Sequence, residues 1–192
     1  MKISTSVFSV IFASLSTVSA FAAPSSVYTS VDPKDCVELS SSEYEANPEI
    51  DYFTSVCKGL PGYSISFDGG DARSWLKIRY NGSEPSSLAE GSGESVGQFP
   101  NVSSAKVEWR GNTVNGKFVP YAVIHRISGQ DPEKIDKQLS ALVVTKISTN
   151  GTCQQAMIKS SKTMNADARK AADASQGNAG CKIEAFPTAA AN

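Results

Sequence analysis

The side chains in this sequence that could do chemistry are few, and each has a plainer role to weigh against it. His125 is the single histidine of the chain, so a Ser-His-Asp or Cys-His arrangement would depend on it alone. It lies in Ala122-Val123-Ile124-His125-Arg126, the most strand-like stretch of the sequence, with no Gly-x-Ser-x-Gly elbow to accompany it. It reads as a core or sheet-face histidine with a satisfied hydrogen bond. Phe67-Asp68-Gly69-Gly70-Asp71-Ala72-Arg73 sets two carboxylates in a glycine turn, where Asp68 and Asp71 could hold an ion or form a glycosidase-like acid and nucleophile pair. A calcium loop would need more acidic positions and a closing glutamate, so the expectation is a hairpin turn with solvated charges, Arg73 pairing with one of the aspartates.

Glu108-Trp109-Arg110 places opposite charges on one side of a short strand and an aromatic ring on the other, which is ordinary β patterning. If exposed, Trp109 or Trp75 could anchor a glycan or a partner protein, with Arg110 and Arg73 beside them, because Trp and Arg dominate interface hot spots. A hydrolase built on carboxylates would have Asp68, Asp71 and Glu108 as its candidates, two of them facing one cleft about 5 to 10 Å apart. Asn81, Asn101 and Asn150 each open an Asn-x-Ser/Thr triplet, a glycan acceptor in a eukaryotic secretory pathway and of little meaning in a bacterial one.

Cys36, Cys57, Cys153 and Cys181 complete the set of reactive groups. Zinc is the rival use, but no Cys-x-x-Cys pair exists and one histidine is a poor complement. Two bridges use all four. Three pairings are possible, and since two cysteines lie toward each end of the chain, Cys36 with Cys57 and Cys153 with Cys181 is the simplest. Each would close a loop of roughly 20 to 30 residues, worth about 3 to 4 kcal/mol.

Bridges require an oxidising compartment, and the N-terminus supplies the route. Met1-Lys2, an apolar run from Val7 to Val18 and the small residues of Ala20-Phe21-Ala22 read as a secretory signal peptide over residues 1–22, cleaved after Ala22. The run is too short for a resident transmembrane helix, and no later stretch is long enough to span a bilayer. Residues 23–183 form one disulfide-stapled β-rich domain, and 184–192 a flexible tail. The formal net charge is −1 with neither sign gathered into blocks, which gives no ground for affinity to nucleic acid or an anionic membrane surface.

The elements that hold these residues are mostly strands. Ser26 to Thr29 and Tyr52 to Cys57 are extended candidates, separated by a turn at Asp32-Pro33-Lys34 and a polar loop from Ser40 to Glu49. Tyr63, Ile65 and Phe67 alternate with serines, Asp68-Gly69-Gly70-Asp71 reverses the chain, and Trp75 to Tyr80 returns, with Trp75, Leu76, Ile78 and Tyr80 supplying apolar contacts and Lys77 and Arg79 pointing the other way. Glu84 to Gly97 reads as an exposed, mobile loop. Val107 to Arg110 is a short strand closed by Gly111-Asn112, with a further turn at Asn115-Gly116 before Lys117 to Val119. Tyr121 to Ile127 and Ala141 to Ile147 are near-continuous apolar runs and form the central antiparallel pair. One Ala-rich helix starts at an Asn165 N-cap, carries Asp167 in its first turn and stops at Gly177.

Several blocks in order resemble a family of uncharacterised exported bacterial proteins found in proteobacteria and cyanobacteria. They are Val27-Tyr28-Thr29 with Asp35-Cys36, Cys57-Lys58-Gly59-Leu60-Pro61-Gly62-Tyr63, Gly70 to Ser74, Val107-Glu108-Trp109-Arg110, Ala122 to Arg126, Leu142 to Ile147, Cys153, Asn165 to Asp173 and Cys181. Lys58 stands where relatives often have proline, and the Glu84 to Gly97 loop aligns poorly. The resemblance implies an exported domain whose two cysteine pairs match the pairing above, and it brings no known activity.

The expected fold is therefore α+β and mainly β, an antiparallel sheet or partly open barrel with one C-terminal helix and two disulfides. The expected role is a periplasmic or secreted binding module without catalytic residues or cofactor, of inhibitor or immunity type, facing an envelope protein or a glycan. The alternatives are the carboxylate hydrolase and a structural envelope-maintenance protein.

Overall fold

The computed structural model describes residues 23–39, 51–88, 96–177 and 180–187. The expected signal peptide, the Ser40 to Glu49 loop and the middle of the Glu84 to Gly97 loop lie outside the described residues. The strands form two antiparallel sheets. The smaller has the order β2 (Cys36–Leu39), β3 (Tyr52–Lys58), β4 (Tyr63–Gly70), β5 (Arg73–Tyr80) and β6 (Ser86–Ser87). In the larger, β1 (Ser25–Ser30), β8 (Lys106–Val114), β9 (Lys117–Gln130), β10 (Gln138–Ser148), β11 (Gly151–Lys159) and β12 (Glu184–Ala185) follow one another, and β7 (Gln98–Val102) pairs with the far half of β9. The sheets share a core and do not close into a barrel.

Alternation decides which side chains enter that core. Cys57, Ile65, Leu76 and Ile78 of the smaller sheet meet Val107, Trp109, Val123 and Ile147 of the larger. At roughly 1.5 to 3 kcal/mol for each large side chain removed from water, this layer is the main source of stability. The opposite face of the larger sheet, with Ala122, Ile124, Leu142 and Val144, carries the helix α1 (Met164–Ala174) on Met164, Ala168 and Ala172. An 11-residue helix is marginal by itself, and this apolar stripe supplies what propensity cannot.

Both expected disulfides are present, Cys36 to Cys57 and Cys153 to Cys181, at sequence separations of 21 and 28. The expected central pair is there as well, with His125 opposite Val143. Other expectations are corrected. The β4–β5 hairpin turns on two residues, Asp71 and Ala72, both at positive φ (50° and 58°), and Asp68 to Gly70 belong to the strand. Gly69 and Gly70 are glycines because a Cβ would strike the Phe53 ring at the first and the Asp51 carbonyl at the second. Trp75 shares its face with Lys77 and Arg79, opposite Leu76 and Ile78, since strict alternation overrides its apolar character.

Gly111 does not end its strand. A bulge there sets Gly111 against Pro120 and Arg110 against Ala122, so that Pro120, which lacks an N–H, falls where the ladder is already broken. The extra residue, Tyr121, joins the helix-side cluster. The helix begins at Met164 after Thr163, whose hydroxyl bonds Asp167 rather than a backbone N–H. Leu88 and Val96, within the loop expected to be exposed, are buried, because they are its large apolar side chains and the core has room for them. The expected frayed tail starts instead with a bridge from Glu184 and Ala185 to β11, and Phe186 is buried.

Candidate functional site

The strand register brings two of the candidate residues face to face. Asp68 on β4 lies opposite Trp75 on β5, and both point away from the core. Along β5 the same outer face carries Arg73, Trp75, Lys77 and Arg79, while β3 contributes Tyr52, Thr54, Val56 and Lys58 and β4 the short residues Ser64, Ser66 and Asp68. Lys77 Nζ reaches Asp68 Oδ2 at 2.7 Å and lies 5.9 Å from the Trp75 ring centroid. Tyr52 and Trp75 rings approach at 6.2 Å, and Thr54 Oγ1 donates to the Tyr52 hydroxyl at 3.1 Å. Long side chains on the flanking strands thus close over short ones in the middle. Asp68 is 1% exposed as a result, and among the described residues its Oδ1 has no hydrogen-bond partner and neither has the buried Nε of Arg79.

At the hairpin end this face turns into a groove between the sheets. Tyr52 and Phe53 are neighbours on a strand and so point to opposite faces, Tyr52 to Trp75 outside and Phe53 to Phe67 inside, with rings 5.7 Å apart. The groove has a volume of about 520 Å³ and is lined by Phe53, Phe67, Asp51, Arg73 and Asn101 among others. Arg73 pairs with Asp71 at 2.6 Å and lies over the Phe99 ring at 5.3 Å. Asn101 ties the two walls together, donating to the carbonyls of Ala72 and Phe99 at 2.9 Å and accepting from Ser74 Oγ at 3.0 Å. Phe99 is held at φ 48° and is 42% exposed. A bulky residue in that region is strained, and such strain persists only where the surroundings enforce it.

The other candidate residues are elsewhere. Trp109 is not a surface anchor, because it is fully buried, with Nε1 donating to Thr29 Oγ1 at 2.9 Å. Glu108 and Arg110 face α1. Arg110 donates two hydrogen bonds to the Asp173 carboxylate, at 2.9 and 2.7 Å, and Tyr121 donates to the same carboxylate at 2.6 Å. Arg169 holds Glu108 at 2.6 and 3.1 Å, and Ser26 donates to it as well. Burial pushes both carboxyls up, but the guanidinium and hydroxyl hydrogen bonds outweigh it and hold them below the ordinary range. Arg110 is therefore a docking residue for the helix and not part of the exposed face.

Nor do the candidate acids converge. Asp68 is buried beneath Lys77 on the outer face of the small sheet, Asp71 is at the exposed hairpin turn with Arg73, and Glu108 is under the helix on the far side of the large sheet. No group of three or more potential metal ligands lies together among the described residues. His125 is fully buried, and burial lowers its pKa to about 4. It differs from expectation in that neither ring nitrogen has a hydrogen-bond partner among the described residues. Sequence reasoning missed Tyr52, Phe53, Lys77, Arg79, Phe99 and Asn101. The signal available was the alternation of Arg73, Trp75, Lys77 and Arg79 along one strand.

No helix among the described residues is long and apolar enough to cross a membrane. No protein-family model, curated protein or solved structure matches the chain.

Proposed function

We propose that this chain is an exported binding module that works at the cell envelope through the hairpin end of its small sheet. The observation that carries this reading is the convergence there of partly exposed aromatic rings, Tyr52 and Trp75 on the outer face, Phe53 in the groove and Phe99 under Arg73, which itself lines the groove. Rigid rings with an arginine at their centre are the composition of interface hot spots. Two disulfides and the signal-like N-terminus favour an oxidising, periplasmic or secreted location. The separation of Asp68, Asp71 and Glu108 counts against the carboxylate hydrolase, which needs two acids in one cleft. The groove and the aromatic face count against a purely structural role.

The test uses the oxidised domain from Ala23 onward as bait in host envelope extract. Stoichiometric retention of one protein or glycan is the expected result. Turnover of a cell-wall or glycan substrate that is abolished by Asp68→Asn or Asp71→Asn would overturn the reading.

A further inference from the structure

We propose that the outer face of the small sheet binds an acidic saccharide chain, with sugar rings packed on Trp75 and Tyr52 and its anionic groups paired with Lys77, Arg79 and Lys58. This rests on the binding reading above and names its ligand class. Among the described residues the register places four cations, Lys58, Arg73, Lys77 and Arg79, on the outer side of β3 to β5; Asp71 pairs with Arg73 at the turn and Asp68 with Lys77, which leaves Lys58 and Arg79 without a salt bridge. The Asp68 carboxylate is buried beneath Lys77 and does not present its charge to solvent. A chain of formal net charge −1 thus keeps an excess of two positive charges on one sheet face.

Residues two apart on a strand are separated by about 6.8 Å, so Trp75, Lys77 and Arg79 form a straight row of ring, ammonium and guanidinium. The ring faces suit the apolar side of a pyranose, the cations suit carboxylate, sulfate or phosphate substituents, and the Tyr52 hydroxyl, which accepts from Thr54 Oγ1, keeps its own proton for a sugar oxygen. Arg79 enters this row with a buried Nε that has no acceptor among the described residues. A nucleic acid fits less well, because it would need a longer run of cations than this face provides and would meet an acidic protein around it.

The chain has two tryptophans, and since Trp109 is fully buried, a surface ligand acts on the emission of Trp75. Hexagalacturonate and a heparin hexasaccharide are titrated into the full mature domain, with maltohexaose and oligothymidylate as controls. A saturable change in Trp75 emission with at least one acidic saccharide is expected, weakened by added salt and absent with maltohexaose. Lys58→Gln with Arg79→Gln leaves the Lys77 to Asp68 pair intact and is expected to weaken binding at least tenfold; Tyr52→Ser tests the ring contribution in the same way. Silence with both acidic probes, equal binding of oligothymidylate, or an unchanged affinity in both variants overturns the proposal. If envelope extract still yields a partner while both acidic probes are silent, only the ligand class fails; if neither binds, the binding reading fails with it.

Discussion

Asp68 and Trp75 stand directly opposite each other on β4 and β5, and Lys77 reaches over both, bonded to the carboxylate at 2.7 Å and within 5.9 Å of the ring centroid. A carboxylate on the outer face of the sheet is thereby sealed from water. Breaking such a pair from one side strands the other charge. Lys77→Met is expected to cost about 3 kcal/mol, and Lys77→Met with Asp68→Val to recover most of that, because the double change removes the uncompensated charge. Urea unfolding of the three variants measures it; equal losses in the single and double variants would show that Asp68 tolerates its burial alone.

The helix is held by a crossed pair of salt bridges, Arg110 to Asp173 and Glu108 to Arg169. They are not equivalent. Arg110 is buried and Arg169 is 42% exposed, so solvent screens the second pair. Asp173→Ala is expected to cost about 2 to 3 kcal/mol by leaving a buried guanidinium unpaired, and Arg169→Ala about 1 kcal/mol. Both carboxyl pKa values are depressed, so this stabilisation is complete above the ordinary carboxylate range and is lost as pH falls below it. Thermal melts at pH 7 and pH 3 would read the difference between the variants narrowing at the lower value.

His125 gives a separate acid sensitivity. Its pKa falls from 6.5 in the open chain to about 4 in the fold, because burial excludes the charged form. Between those values the unfolded chain takes up a proton that the folded one does not. Stability is therefore full above pH 6.5 and declines toward pH 4, by roughly 3 kcal/mol in all. In His125→Leu this part of the pH dependence should vanish, with no loss at pH 7, since the ring nitrogens have no partner to forfeit. Denaturation at pH 7, 5.5 and 4.5 tests it, and an unaltered slope in the variant would assign the sensitivity to another group.

Asn101 joins β7 to the hairpin at Ala72 and Ser74 and holds the strained Phe99. Asn101→Ala should release that strain along with its bonds, so a stability loss of about 1 to 2 kcal/mol is expected together with a larger loss of partner retention. A variant with lowered melting temperature and full retention would detach the groove from function.

Much of the fold was legible because its signals are local. Alternating serines marked β4, the apolar runs of β9 and β10 marked a doubly covered central pair, and cysteine placement pointed to both bridges. Misreadings occurred where tertiary structure overrode composition. Asp68-Gly69-Gly70-Asp71 has turn chemistry, yet the glycines serve close approach of Phe53 and Asp51, and the reversal falls on Asp71-Ala72. β11 was not expected, since Thr152 to Gln155 lack an apolar alternation; its pairing with β10 and the bridge at Cys153 form it. The site was half legible. Trp75, Arg73 and Asp68 were candidates from residue type alone, but Tyr52 and Lys58 come from a strand remote in sequence and join them only through the β3–β4–β5 register. The same register gathers charges that look scattered along the chain.

The most direct test of binding through this end of the molecule is retention from envelope extract by the wild-type domain and by Trp75→Ser, side by side and at matched folding. The wild type is expected to retain a stoichiometric partner and the variant, compared at a temperature where both are folded, to lose at least tenfold of it. Equal retention by the two proteins, or none by either, would contradict binding through this end.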